Sequence, residues 1–255
     1  MDIKEKLKKY VHKIKNFLLP KIVRFLKSFI KMMRKERWLF SFVITVFICV
    51  FCMIFVDKPF ALYFKENLSA HTEGFYKTIT NIGLMGWWFG FAIILWLVFV
   101  SLAGVSVSTE DFEKNMQKAR SFLFMISSLT ASAFTVTGFK IFIGRYRPRY
   151  LFNDDLYGFS PFNFNFGMNS FPSGHAISIF TAMTALKIIF PRYDAAYMVI
   201  AVLVAFSRAF TTVHYVSDVI MGAYLGIAIT YCVKAIFEED GAKVVIKCAR
   251  DKKLS

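Results

Sequence analysis

The sequence is short of cysteine and of acid. Four Cys among 255 residues are too few for a small disulfide-stapled scaffold. Acids number 17 against 32 Lys plus Arg, which leaves a formal charge of +15. Histidine is scarce as well, at four residues. No internal repeat or low-complexity tract is present. Apolar residues are abundant: 56% of the chain is hydrophobic, 18% is aromatic, and Phe alone occurs 31 times. Ordinary soluble domains run nearer ~45–50% apolar, and a disordered chain would be far less greasy. What remains is a polytopic membrane protein with no room for two sizeable soluble domains.

The charge is uneven. Residues 1–37 hold 13 Lys/Arg and three acids (Asp2, Glu5, Glu36), so this arm carries +10 of the +15. Leu7, Tyr10, Val11, Ile14, Phe17 and Leu18 recur at helical steps, and the pattern resumes after Pro20. That predicts a basic amphipathic helix lying on an anionic membrane surface. The apolar stripe and the span that follows argue against nucleic-acid binding. The arm is also far longer than the n-region of a signal peptide.

Six apolar runs follow: Trp38–Val56, Trp87–Val107, Ser121–Ile143, Ala176–Phe190, Ala195–Val213 and Val219–Phe237. The expected fold is all-α, a six-transmembrane-helix bundle over 38–237. It is preceded by the 1–37 interfacial arm and followed by a charged cytoplasmic tail over 238–255. Small residues four apart, Gly86/Gly90 and Gly222/Gly226, suit close helix approach. Cys49 and Cys52 form a C-x-x-C, but both lie inside the first run and read as packing residues. With both termini cytoplasmic, 24 Lys/Arg fall inside and 8 outside, which satisfies the positive-inside rule. Lys140, Arg145, Arg147, Arg149 and Arg208 are five of the eight, and all flank spans three to five. The expected location is a bacterial-type inner membrane, with the site on the outer side.

That outer side collects the chemistry. Ionisable groups in or beside spans are costly and by default mark function. His214 and Asp218 stand four apart, as on one helix face. The carboxylate is then expected to hold Nδ1–H and leave Nε2 nucleophilic. Pro172-Ser173-Gly174-His175 reads as a helix start, where backbone N–H groups favour an anion. Gly174 allows close approach, and His175 is placed to deliver a proton. Lys140, Arg147 and Arg208 supply cations for phosphate oxygens. Arg145 and Arg149 read as interfacial anchors. Asp154-Asp155 read as polar loop residues, with a metal pair as the alternative. Three cations, two His and a carboxylate on one face match phosphoryl transfer through a phosphohistidine.

The motifs K-x6-R-P (Lys140 to Arg147-Pro148), P-S-G-H (Pro172 to His175) and S-R-x5-H-x3-D (Ser207-Arg208, His214, Asp218) resemble those of the type 2 phosphatidic acid phosphatase family of membrane lipid phosphatases. The resemblance covers roughly 120–237 and excludes the basic arm. It implies His214 as nucleophile oriented by Asp218, and His175 as acid and then base. It implies Lys140, Arg147, Ser173, Gly174 and Arg208 as the phosphate cradle, with no metal and no cofactor. The expected partners are a phosphorylated lipid and the membrane. Seven aromatics between Tyr150 and Phe166 favour a lipid over a soluble phosphate. Lipid A, a polyprenyl diphosphate, phosphatidylglycerol phosphate and phosphatidate all remain open as substrates. The rival readings are a non-catalytic phospholipid-binding or transport protein that keeps the anion site, and a vanadate haloperoxidase. The oriented His214 argues against the first. The six spans argue against the second, whose members are soluble.

Overall fold

The computed structural model describes residues 37–162, 166–239 and 244. The expected amphipathic arm therefore lies outside the described residues, as does most of the charged tail. The chain divides into two compact units, 1–44 and 45–255. Of the first, only the opening turns of α1 (Arg37–Phe55) are described. There Ser41 Oγ donates to the Trp38 carbonyl at 2.9 Å.

All named elements are helices. After α1 come α2 (Asp57–Asn67), α3 (Ala70–Asn81), α4 (Met85–Gly104), α5 (Thr109–Ile143), α6 (Pro148–Asp154), α7 (Gly174–Ile189), α8 (Asp194–Phe210) and α9 (Val216–Glu239). Among the described residues, five stretches are long and apolar enough to cross a membrane: Arg37–Phe55, Ala70–Gly104, Thr109–Ile143, Pro191–Phe210 and Val216–Glu238. The run expected as the fourth span becomes α7, a shorter helix of 16 residues. At ~1.5 Å per residue it is about 24 Å long, against a hydrocarbon core of ~30 Å. It is also the helix most enclosed by protein, with 13 buried residues. It packs against α5, α8 and α9.

Two segments between the expected spans turn out to be helical. The 57–86 segment contains α2 and α3. Ser69 caps α3, its Oγ accepting from Thr72 N–H at 3.3 Å. The 108–120 segment is the first part of α5, which runs for 35 residues. Ser108 caps it through the N–H groups of Glu110 and Asp111 at 3.1 and 3.4 Å. Both acids then sit at the positive end of the helix dipole. Four of the hydroxyls that make this span polar are satisfied within the helix. Ser128, Thr130, Thr135 and Thr137 donate to the carbonyls four residues back at 2.8–2.9 Å. Ser132 instead meets Thr181 of α7 at 2.7 Å.

Of the two glycine pairs, one is a contact. A Cβ at Gly226 would stand 2.7 Å from the Ile177 carbonyl oxygen and 3.0 Å from Thr181 N. One at Gly222 would stand 2.8 Å from the Ser173 carbonyl oxygen. α9 therefore lies directly on the backbone of α7. Around Gly86 and Gly90 nothing lies within 4 Å, so that pair serves no close approach in the described chain. Gly226→Ala should destabilise the detergent-solubilised protein by about 1–3 kcal/mol, the usual cost of overpacking. Gly86→Ala should leave its thermal midpoint unchanged. Equal midpoints for the two variants would contradict the α7–α9 contact.

Candidate active site

The three motif segments come together from separate elements. Lys140 is in the last turn of α5, which ends at Gly144 in the left-handed region (φ 53°). The Gly144 N–H closes the helix on the Lys140 carbonyl at 3.0 Å. A side chain at 144 would strike the backbone of Ser160, whose N–H donates to the Gly144 carbonyl. The chain then runs extended through Arg147, and Pro148 opens α6. Arg145 and Phe159 form an antiparallel bridge that returns the loop to its start.

Ser173 caps α7 at the second motif. Its N–H donates to the Asp218 carbonyl at 3.0 Å, which ties α7 to α9. Its hydroxyl is buried and has no protein partner. Lys140 Nζ is the nearest atom to the open face of Gly174, 3.7 Å from where a Cβ would be. His175 is the second residue of α7, and its Cδ2 lies 3.2 Å from a Cβ position on Gly83. The turn between α3 and α4 thus abuts the imidazole.

The third motif bends tightly. The Arg208 carbonyl accepts from both Val213 and His214 N–H at 3.2 Å, with Thr212 at positive φ (51°). Arg208 Nη1 reaches Thr80 Oγ1 at 3.5 Å, and Thr80 also meets Ser207 Oγ at 2.8 Å. The Nε groups of Arg147 and Arg208 are buried and, like the Ser173 hydroxyl, unpartnered. Burying such donors without partners is costly. An oxyanion meeting them would remove that cost.

His214 and Asp218 do not share a helix face as expected. α9 begins at Val216, so His214 belongs to the preceding turn and only Asp218 is helical. Asp218 Oδ2 accepts from Tyr215 N–H at 2.9 Å, as the third helical residue does in a capping box. His214 Nδ1 lies 3.5 Å from Asp218 Oδ2, and Ser170 stands between them. Ser170 Oγ donates to Asp218 Oδ2 at 2.5 Å and lies 3.3 Å from His214 Nδ1. A serine has one hydroxyl proton. With that proton committed to the carboxylate, Ser170 Oγ accepts from His214 Nδ1–H. The tautomer is set, and Nε2 carries the lone pair. Burial pushes the His214 pKa down to about 3, the Asp218 contact pulls it back, and Arg147 and Arg208 press it lower. At neutral pH the ring is uncharged, as a nucleophile requires.

Arg145 is not an anchor. It is 1% exposed and donates from Nη1 to Asp218 Oδ1 at 2.6 Å and from Nη2 to Asp57 Oδ2 at 2.9 Å. Burial opposes its charge, but Asp218 and Asp57 outweigh that and hold it protonated well above the usual range. Arg147 shifts the other way, lowered by burial and by Arg149. That is the signature of a cation short of counter-charge. Arg149 is exposed, over the Tyr150 ring at 5.0 Å, in keeping with an interfacial place. Asp154 and Asp155 are exposed, and Asp155 lies 3.6 Å from Lys58. Asp57, Arg145, Ser170 and Thr80 were not singled out from sequence as site residues.

In this all-helical arrangement buried, unpartnered donors of Arg147, Arg208 and Ser173 gather in the motif segments that also carry the oriented imidazole of His214. Residues 121–241 match the PAP2 superfamily, and that match supports the type 2 phosphatidic acid phosphatase family for this chain. It is a multi-pass membrane protein. It is 26% identical over 192 residues to a lipid A 1-phosphatase of Rhizobium etli, covering 74% of this chain and 81% of the relative. To a lipid A 1-phosphatase of Rhizobium johnstonii it is 25% identical over 217 residues, covering 84% and 86%. The crystal structure of a transmembrane PAP2-type phosphatidylglycerolphosphate phosphatase from Bacillus subtilis superposes with a TM-score of 0.52 at 18% identity. That match covers 79% of this chain and 96% of the other. At that identity the likeness speaks for the fold.

Proposed function

We propose that this membrane lipid phosphatase removes the 1-phosphate of lipid A, or of a closely similar glycolipid, through a phosphohistidine. The observation that carries the mechanism is the neutral His214, its Nδ1 engaged by Ser170 and Asp218, beside Arg147 and Arg208 with buried unpartnered Nε groups. The named relatives carry the choice of lipid. Nε2 of His214 attacks phosphorus, and the bond from phosphorus to the leaving oxygen breaks. His175 gives that oxygen its proton. His175 then takes a proton from water, the water oxygen bonds to phosphorus, and the P–N bond breaks to release phosphate. Lys140, Arg147, Arg208, the Ser173 hydroxyl and the Gly174 N–H hold the phosphate oxygens. Such donors are typically worth ~3–4 kcal/mol each in the transition state.

In this reading α7 completes six crossings, both termini are cytoplasmic, and the site opens to the outer face of an inner membrane. The 1–37 arm adds attachment to the inner leaflet. Three fixed cations do the work that metal ions do elsewhere. Among the described residues no group of three or more His, Cys, Asp or Glu gathers as a metal site would.

The test is phosphate release by purified protein from lipid A, phosphatidylglycerol phosphate, phosphatidate and a polyprenyl diphosphate. Lipid A should be fastest, EDTA should leave the rate unchanged, and vanadate should inhibit as a mimic of the five-coordinate transition state. Activity lost in EDTA and restored by Mg²⁺ would overturn the metal-free mechanism. A preference for another lipid would move the substrate assignment and leave the mechanism standing.

A further inference from the structure

Asp57 lies outside every motif, yet it is buried in the centre of the polar network. It opens α2, is 1% exposed, and has three partners. Its Oδ1 accepts from Ser217 N–H at 3.1 Å, in the first turn of α9. Its Oδ2 accepts from the Ser217 hydroxyl, and from Arg145 Nη2 at 2.9 Å. Arg145 then spends all four Nη hydrogens. Nη1 goes to Ser217 Oγ at 2.7 Å and Asp218 Oδ1 at 2.6 Å. Nη2 goes to Asp57 and to Tyr157 OH at 3.1 Å. The Tyr157 hydroxyl donates in turn to the Met53 carbonyl at 2.6 Å. The Tyr215 ring covers the guanidinium, 4.2 Å from its centre. Through its backbone carbonyl Arg145 also accepts from Ser170 N–H at 2.8 Å. The two groups that meet His214 Nδ1 are thus both fixed by Arg145, and Arg145 is fixed by Asp57.

The charge count gives this clamp a purpose. Asp218 paired with Arg145 alone would be a neutral couple. It could do little for the positive charge that grows on the His214 ring as Nε2 bonds to phosphorus. A second carboxylate on the same guanidinium leaves the group at net −1, on the side of the imidazole. We infer that Asp57 is a positioning residue for the reaction, holding Arg145 so that Asp218 keeps both its aim and its charge for His214. This rests on the phosphohistidine reading.

The test is a double-mutant cycle with a split of kcat from KM, using the full chain in detergent and the best lipid phosphate. Partners behind a ligating or reacting group are commonly worth ~10–100-fold, so Asp57→Asn should lower kcat by that amount. KM, and competitive inhibition by inorganic phosphate, should stay within about twofold, because the cradle is untouched. In an Asp218→Asn background, Asp57→Asn should cost less than about threefold, since residues acting as a unit are not additive. Equal losses in both backgrounds would overturn the inference. So would a loss confined to KM and phosphate inhibition. Should Asp57→Asn fail to fold, Ser217→Ala removes one strut between Asp57 and Arg145 and is read by the same cycle. His214→Ala and acid-labile labelling of the wild type test the phosphohistidine reading separately, so the two failures are distinguishable.

Discussion

His214→Ala should abolish turnover, with at most a few per cent of wild-type activity remaining, while the protein stays folded and in the membrane. Without the imidazole no P–N bond forms, and the cations left behind bind phosphate without a nucleophile to attack it. The ring is buried, at 3% exposure, but its polar side-chain partners are few. Nδ1 meets Ser170 and Asp218, and the backbone N–H is held by Arg208 whatever the side chain. Truncation therefore removes the chemistry and leaves the turn. Asp218→Asn should leave a small residual rate, because it disturbs the orienting group and spares the nucleophile. The readout is phosphate release per mole of purified protein, with acid-labile labelled phosphate on the wild type as the positive sign. Activity above a few per cent in His214→Ala would end the phosphohistidine proposal.

His175→Ala should cost about 10²–10⁴-fold in kcat, the range of a general acid–base catalyst. An alkoxide is a poor leaving group and needs its proton as the ester bond breaks. The phosphoenzyme then needs a base for water, so both halves of the cycle suffer. A diphosphate substrate releases a phosphate ester, which leaves more easily. His175→Ala should therefore charge His214 faster from a diphosphate than from a monoester and hold the label longer than wild type. KM should change little. Burst kinetics with labelled substrates measure each half, and a loss of only a few-fold on a monoester would assign the proton to another group.

The three motifs were legible because each is local. Pro172 to His175 and Ser207 to Asp218 bring their side chains together within a turn or two of their own backbone. What was not legible is joined across the sequence. Asp57 is 160 residues from Ser217, and Arg145 is 73 from Asp218. Nothing in local spacing ties a lone acid after the first span to the start of the last. Arg145 gave one clue, as the first cation of Arg145-Tyr146-Arg147-Pro148-Arg149, but charge at a membrane boundary reads equally well as anchoring. Ser170 precedes the P-S-G-H motif and sits 44 residues from His214, so its place between the imidazole and the carboxylate depends on how α7 and α9 pack. α2 and α3 escaped because their mixed polarity hides a helical period. The family match and the all-helical architecture agree with the sequence reading, and α7 is shorter than a full span.

The bend between α8 and α9 makes Arg208 and His214 a single mechanical part. One carbonyl fixes the spacing between the Arg208 and His214 backbones. That spacing is set by a few covalent steps of one chain, like marks on a rigid ruler. Lys140 and His175 arrive on other helices, and their distances depend on how α5 and α7 stack. As the bundle softens with heat, or in a harsher detergent, the helices part before the bend unravels. Wear in this protein should therefore show first at His175 and Lys140, and last at His214.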